Sequence, residues 1–327
     1  MRFNKKGVVT FLFAATAIGA FAQEDLLNLV DSAGAPKTHE KVFATFKDFK
    51  IINMQSTETV KKGTMNFGVT HRFGNIGEES GGGVHQWYGT DNASDIRISF
   101  DFGITDKLTV GVARSKQNEL LDALVKYRFL TQTTDNHIPF SVAFYGDMGV
   151  TPEKASQLYN GAATPYEFKQ TDLHRISYTA QLLLARKFGS RLSIELAPTY
   201  NHRNFVIGRI NPDNGATEMN DLFSIGGGFR FKITKRFSLI ADYFYTFSQY
   251  RTNNSANPFY NPLAVGVEIE TGGHVFHLNF TNATGIIENN FLPNTTDSWL
   301  KGGFKFGFNI SRVFNLTHHH GPKPPKG

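Results

Sequence analysis

Acidic and basic side chains recur at alternate positions through the middle and end of this chain. The acids are Asp101, Asp122, Asp147, Glu195, Asp242, Glu268 and Glu270, and the bases are Arg97, Lys126, Arg128, Arg230, Lys232, Lys301 and Lys305. Gathered around a channel, such groups would form a charged constriction that selects solutes. They would equally neutralise one another as ion pairs, because an unpaired charge away from bulk water is costly. The balance of the two signs favours pairing. Catalytic chemistry has little to build on. Asp95 with His71 or His85, or Ser224 with His202, would be needed as nucleophile or acid beside a base, and no local motif supports either pairing. The enzyme reading is therefore remote, and no catalytic residue, cofactor or metal site is assigned. His318, His319 and His320 lie in a Pro- and Lys-rich tail without the supporting groups that orient metal-ligating imidazoles. Gly81-Gly82-Gly83 and Gly226-Gly227-Gly228 match no phosphate loop.

The alternation itself identifies the elements. Ile96, Ile98, Phe100, Phe102 and Ile104 stand against Arg97, Ser99, Asp101, Gly103 and Thr105, the period-two pattern of a strand with one apolar face. The same pattern begins at Thr64, with Met65, Phe67, Val69 and Phe73 on one face and Asn66, Gly68, Thr70 and Arg72 on the other. It returns through Leu239, Tyr243, Tyr245 and Phe247, and ends with Leu300, Phe304, Phe306, Phe308 and Ile310. Tight turns such as Thr105-Asp106-Lys107, Gly189-Ser190-Arg191 and Thr234-Lys235-Arg236 alternate with long polar loops near residues 75–91, 152–171, 203–220 and 251–261. About twelve strands of roughly ten residues, joined alternately by short turns and long loops, describe a transmembrane antiparallel up-and-down β-barrel. Its apolar side chains face lipid and its polar ones the lumen, so Arg in place of Phe100 should be costly and Arg in place of Ser99 cheap. Pro198 within a strand removes a ladder donor and predicts a bulge.

Composition agrees. The chain of 327 residues holds 31 Phe, 11 Tyr and 31 Gly, yet is only 40% hydrophobic, and it has no Cys. A barrel in lipid combines aromatic richness with hydrophilic character because its polar face is turned inward. The net charge of +6 falls to +3 once Arg2, Lys5 and Lys6 are set aside, too small a surplus to argue for nucleic acid. Those three bases precede an uncharged apolar run, residues 7–18, and then Ala20-Phe21-Ala22, the pattern of a secretory signal peptide. Cleavage is expected between Ala22 and Gln23. The run is shorter than the roughly 20 residues of a spanning helix. The expected organisation is signal peptide 1–22, N-terminal periplasmic or lumen-plugging segment 23–63, barrel 64–315 and flexible tail 316–327. Residues 42–53 carry Phe43, Phe46, Phe49, Ile51 and Ile52, too apolar for a free tail. A plug in the lumen and an extra strand or strap below the barrel both satisfy that composition.

Several segments carry a resemblance. Residues 44–53 (ATFKDFKIIN), residues 62–67 (KGTMNF) followed by His71-Arg72-Phe73-Gly74, residues 122–128 (DALVKYR) and the ending Ile310-Ser311-Arg312-Val313-Phe314 resemble an uncharacterised family of membrane-bound β-barrel proteins of Bacteroidetes-type bacteria. The resemblance covers nearly all of the chain after residue 22. It implies an outer-membrane barrel, and neither an activity nor site residues.

The expected protein therefore lies in the outer membrane of a Gram-negative bacterium with both termini periplasmic, since an even strand count returns them to one side. Its expected role is to pass or bind a small solute. The alternative is a non-conducting structural barrel of an envelope complex. Outer-membrane lipid, a small solute and an envelope protein are the expected partners, and nucleic acid is not.

Overall fold

A computed structural model of the chain describes residues 39–159 and 170–316. The expected cleavage site at Ala22 and Gln23, the segment before residue 39 and the His tail lie outside these residues. Among the described residues twelve strands form a closed antiparallel barrel in which each strand pairs with its neighbours in sequence and β1 pairs with β12. The strands are β1 (Thr64–Asn75), β2 (Ala93–Gly103), β3 (Leu108–Ser115), β4 (Leu121–Leu130), β5 (Ser141–Val150) and β6 (Ile176–Phe188). They continue as β7 (Leu192–Arg203), β8 (Asp221–Lys232), β9 (Phe237–Phe247), β10 (Leu263–Glu270), β11 (His274–Thr281) and β12 (Lys305–Asn315). Two short helices, α1 (Ala155–Leu158) and α2 (Glu288–Asn294), lie in long connections. No helix among the described residues is long and apolar enough to cross a membrane.

The period-two alternation sets which face each strand shows to the outside. In β2, Ile98 and Phe100 are exposed outward while Arg97, Ser99 and Asp101 are buried inward. In β9, Tyr243 and Tyr245 are outward and Asp242 and Thr246 inward. The outer surface is a band of exposed Phe, Tyr, Leu, Ile and Val, including Phe144, Leu182, Leu196, Ile225, Phe229 and Leu278. An apolar band around a closed ladder is what a bilayer demands, because hydrocarbon offers unpaired backbone groups no partner. The seam closes with Met65 opposite Phe314 and Thr70 opposite Asn309.

Two expectations fail in detail. Pro198 causes no bulge. The register of β6 on β7 is the same on both sides of it, from Gln181 opposite Thr199 to Leu184 opposite Leu196, and only the intervening pairs are missing. Toward β8 the ladder runs through Pro198 opposite Ile225 without a shift. The ring thus removes one donor locally without displacing the strand. Leu300 and Lys301 do not belong to the last strand. They form a helical turn, Trp299–Lys301, in which both are exposed, and β12 starts at Lys305. Lys301 is therefore not a lumen residue. The αL glycine Gly302 ends the turn and displaces the strand start.

Candidate functional site

The lumen is filled from both ends. Residues 42–62 lead into β1 from the short-turn end, and the part from Thr45 to Val60 lies inside the barrel, with Phe46, Ile51, Ile52 and Met54 buried. Residues 49–56 double back, with Lys50 bridging Gln55 and the Ile51 amide donating to the Met54 carbonyl at 2.8 Å. The tip of this loop is seated on Asp242 of β9. Oδ2 of that carboxylate accepts the backbone N–H groups of Ile52, Asn53 and Met54 at 2.9, 2.8 and 3.2 Å. Successive amides around one anion make a small anion-binding nest, here turned on the protein's own side chain. Gly228 of β8 lets the tip approach the wall: a Cβ there would lie 2.6 Å from Ile51 Cδ1 and 3.2 Å from Met54 Sδ.

Other wall residues hold the same segment. Lys126 Nζ donates to the carbonyls of Phe49 and Ser56 at 3.0 and 2.9 Å. Glu195 accepts the Thr57 amide at 3.0 Å, and Ser193 donates to the Thr45 carbonyl at 2.6 Å. Arg128 pairs with Glu58 at 3.2 Å, and Lys47 with Glu270 at 3.2 Å. Near the seam, Arg72 of β1 donates to Asn53 Oδ1, and Asn309 of β12 donates to the Ile52 carbonyl.

From the long-loop end, the connection between β11 and β12 folds inward. Ala283, Ile286 and Ile287 are fully buried, as are Glu288, Phe291 and Leu292 of α2. Phe291 meets Phe244 of β9 edge to face with centroids 5.3 Å apart. Asp95 accepts the Ile286 amide at 3.1 Å, and Asn118 donates to Asn290 Oδ1 at 2.8 Å. Burial lowers the Arg251 guanidinium to about 10, with neighbouring Arg203 acting in the same direction. Arg251 donates to the Leu292 carbonyl at 2.5 Å. The two inserts meet where Lys50 Nζ reaches the Ile286 carbonyl at 2.9 Å. Between insert and wall remains a cavity of about 50 Å³ lined by Lys50, Glu58, Asn66, Ser99, Asp101 and Lys126, room for a few waters. A larger hollow of about 290 Å³ opens at the long-loop end, lined by Arg175, Arg203, Arg209, Asn118, Asn289 and Asn290 among others.

The charged residues read from the alternation divide by partner. Arg97 pairs with Asp122 at 2.5 Å, and Arg230 with Glu268 and Glu270 at 2.7 and 2.6 Å, each reaching past one strand along the wall. Lys126, Arg128, Glu195 and Asp242 bind the N-terminal insert instead. Lys305 bonds Asp297 in the inward-folded connection at 2.5 Å, and Asp101 accepts from Asn66 at 3.1 Å. Asp147 is buried, and neither of its oxygens has a hydrogen-bond partner among the described residues. Lys232 is half-buried at the short-turn end, opposite Ser238. Two of the pairings weighed from the sequence are not made. Asp95 lies inside while His71 packs outside against Phe73 and Phe308. Ser224 bonds Thr246 in the lumen, whereas His202 pairs with Asp221. Among the described residues no cluster of His, Asp or Glu is placed to hold a metal ion.

No curated protein matches the chain in sequence. Among solved structures the NanC porin is similar over 76% of this chain and 98% of its own, at 10% identity and a TM-score of 0.44. An outer membrane channel of Pseudomonas putida F1 is similar over 79% and 98%, at 12% identity and a TM-score of 0.43. The KdgM porin solved with disordered oligogalacturonate is similar over 76% and 99%, at 8% identity and a TM-score of 0.43. Likeness at these values carries nothing about this chain's cargo. The membrane bound beta barrel domain family (DUF5777) matches residues 46–314, a span that takes in all twelve wall strands except Asn315, the last residue of β12. With its apolar outer band and closed ladder, the chain belongs to this family of membrane-bound β-barrels.

Proposed function

We propose that this protein is a solute-handling barrel of the outer membrane of a Gram-negative, Bacteroidetes-type cell, closed at rest and opened when residues 45–60 leave the lumen. The observation that carries the reading is how that segment is attached. Its lead-in is paired to the β4–β5 turn, where the Val42 amide donates to the Gln132 carbonyl at 2.8 Å. Past Val42 it joins no wall strand, and is held by hydrogen bonds from wall side chains to its backbone together with ion pairs of Arg128 with Glu58 and of Lys47 with Glu270. Such contacts can be exchanged for water one at a time, unlike a strand in a sheet. A small solute would first meet the hollow beside Arg175, Arg203 and Arg209. Planar-bilayer conductance tests the reading. The full protein is expected to stay closed, replacement of residues 46–58 by a Gly-Ser linker to give current steps, and additional replacement of residues 286–292 to enlarge them. Continued closure of the doubly replaced barrel would rule out passage.

The second reading is a non-conducting accessory barrel with an envelope protein as partner. It is favoured by the second insert and by the apolar cluster of Phe46, Ile51, Ile52, Phe244, Phe291 and Leu292 inside the lumen. In both readings export removes residues 1–22, residues 23–63 form the insert and its leader, 64–315 the wall and 316–327 the tail, with both ends in the periplasm. The intact mass of protein extracted from membranes is expected to begin at Gln23. A mass that retains Met1 to Ala22 would overturn the export route.

A further inference from the structure

The short-turn rim carries far more basic than acidic groups. Lys61, Lys62, Lys107, Arg191, Lys235 and Arg236 are exposed there, and Arg186, Arg312 and Lys187 sit at the adjoining strand ends. The acids at this end are fewer, and two of them are engaged: Glu58 with Arg128, and Glu270 with Arg230 and Lys47. Two of the arginines occupy lipid-facing positions. In β6, Ala185 is buried inward, so Arg186 points outward; its guanidinium lies 5.5 Å from the Phe140 ring and 5.1 Å from that of Phe188. In β12, Ser311 is inward and Arg312 outward, 4.8 Å from the Phe314 ring. Aromatic rings at strand ends mark the headgroup level of a bilayer. A cation stacked on such rings stands at the depth of lipid phosphates. Beside Arg186 a groove of about 680 Å³ is lined by Val42, Phe43, Asn136, Lys187 and Phe188. Phe43 is 74% exposed there, an apolar wall next to a cation.

We propose that this rim is a docking surface for anionic phospholipid, with the groove beside Arg186 taking one headgroup phosphate against the guanidinium and the Asn136 amide, and an acyl chain along Phe43 and Phe188. Position selects the partner. The groove runs from the turns at residues 132–136 and 189–190 to Arg186 and Phe188 on the outward side of β6. A lipid of the adjacent leaflet reaches it there, and a soluble protein or wall polymer arriving from water meets only the turns. Planar guanidinium suits a phosphate diester by paired N–H donors. The surrounding lysines add the field that gathers anionic lipid to the leaflet on this side.

The test uses the full chain in nanodiscs of mixed phosphatidylglycerol and phosphatidylcholine, released and weighed by native mass spectrometry. Retained lipid is expected to be enriched in phosphatidylglycerol. Arg186→Gln should lower that enrichment about fivefold, Arg186→Lys, which keeps the charge but not the paired donors, should restore only part of it, and Arg114→Gln at the opposite rim should leave it unchanged. Millimolar inorganic phosphate should displace none of the lipid. Equal retention of the two lipids by the unaltered protein would overturn the proposal, whether or not any variant folds. So would unchanged enrichment in Arg186→Gln, or displacement by phosphate, which would make the groove a site for the free ion.

Discussion

Asp242→Ala is expected to release the N-terminal insert while leaving the barrel wall closed. The substitution removes the acceptor of three buried backbone N–H groups, those of Ile52, Asn53 and Met54. Each donor left unpaired costs about 1–3 kcal/mol, so the inserted state loses at least about 3 kcal/mol relative to the released one. That is a shift of about two powers of ten in the balance between them. The wall loses little, because Asp242 keeps its backbone pairing to Ala264 and Gly228. Trypsin cleavage at Lys47 and Lys50 in detergent-solubilised protein reports the release. These lysines are held in the lumen by Glu270 and the Ile286 carbonyl. Asp242→Asn retains one acceptor oxygen and should fall between the two. Cleavage of Asp242→Ala no faster than that of the unaltered protein would show that the apolar packing of Ile51 and Met54, and not the carboxylate, holds the segment.

The second large effect is on the outer surface. Phe100 faces outward between Phe67 of β1 and Val112 of β3, so its surroundings are apolar on both sides. Phe100→Arg should cost about 2–4 kcal/mol of refolding stability in lipid vesicles, the range for a basic residue near the bilayer midplane. Its neighbour Ser99 was expected to accept Arg because the lumen holds charge. The structure changes that expectation: Ser99 borders a cavity of about 50 Å³, too small for a guanidinium and its stem. The informative control is therefore Ser99→Ala, which should cost less than about 1 kcal/mol. A loss from Phe100→Arg as small as that from Ser99→Ala would mean that β2 does not present this face to lipid.

The wall was legible because its physics is local. A strand between lipid and a polar interior must alternate, and a one-residue slip would exchange the faces completely. Ile98, Phe100, Tyr243 and Tyr245 outside, with Ser99, Asp101, Asp242 and Thr246 inside, follow from that rule alone. The contents of the lumen follow from contacts between residues distant in sequence, and alternation does not encode those. Asp242 could be assigned to the inside, but its partners are some 190 positions away. The apolar composition of residues 42–53 left a strap and a plug equally satisfactory. The inward turn of α2 was missed entirely, although Ile286-Ile287 and Phe291-Leu292 within a polar connection were a signal. Gly226 and Gly228 were another. Consecutive inward glycines in an unbulged strand vacate space that something must fill, here Phe244 and the tip formed by Ile51 and Met54.

The contacts of the N-terminal insert at the seam bear on the order of assembly. Arg72 and Asn309 stand on the two strands that close the ring, 237 residues apart in sequence, and both reach the loop tip at Ile52 and Asn53. Pairing across so long a separation carries the largest loop-closure cost in the barrel and is the slow contact to form. A segment that fills the lumen must therefore be enclosed before the ring shuts, or thread an already closed one. Enclosed early, it presents both edge strands with fixed partners and acts as a template for their register. Refolding rates into vesicles, compared with and without residues 46–58, measure this: a template speeds closure, whereas a late arrival leaves the rate unchanged.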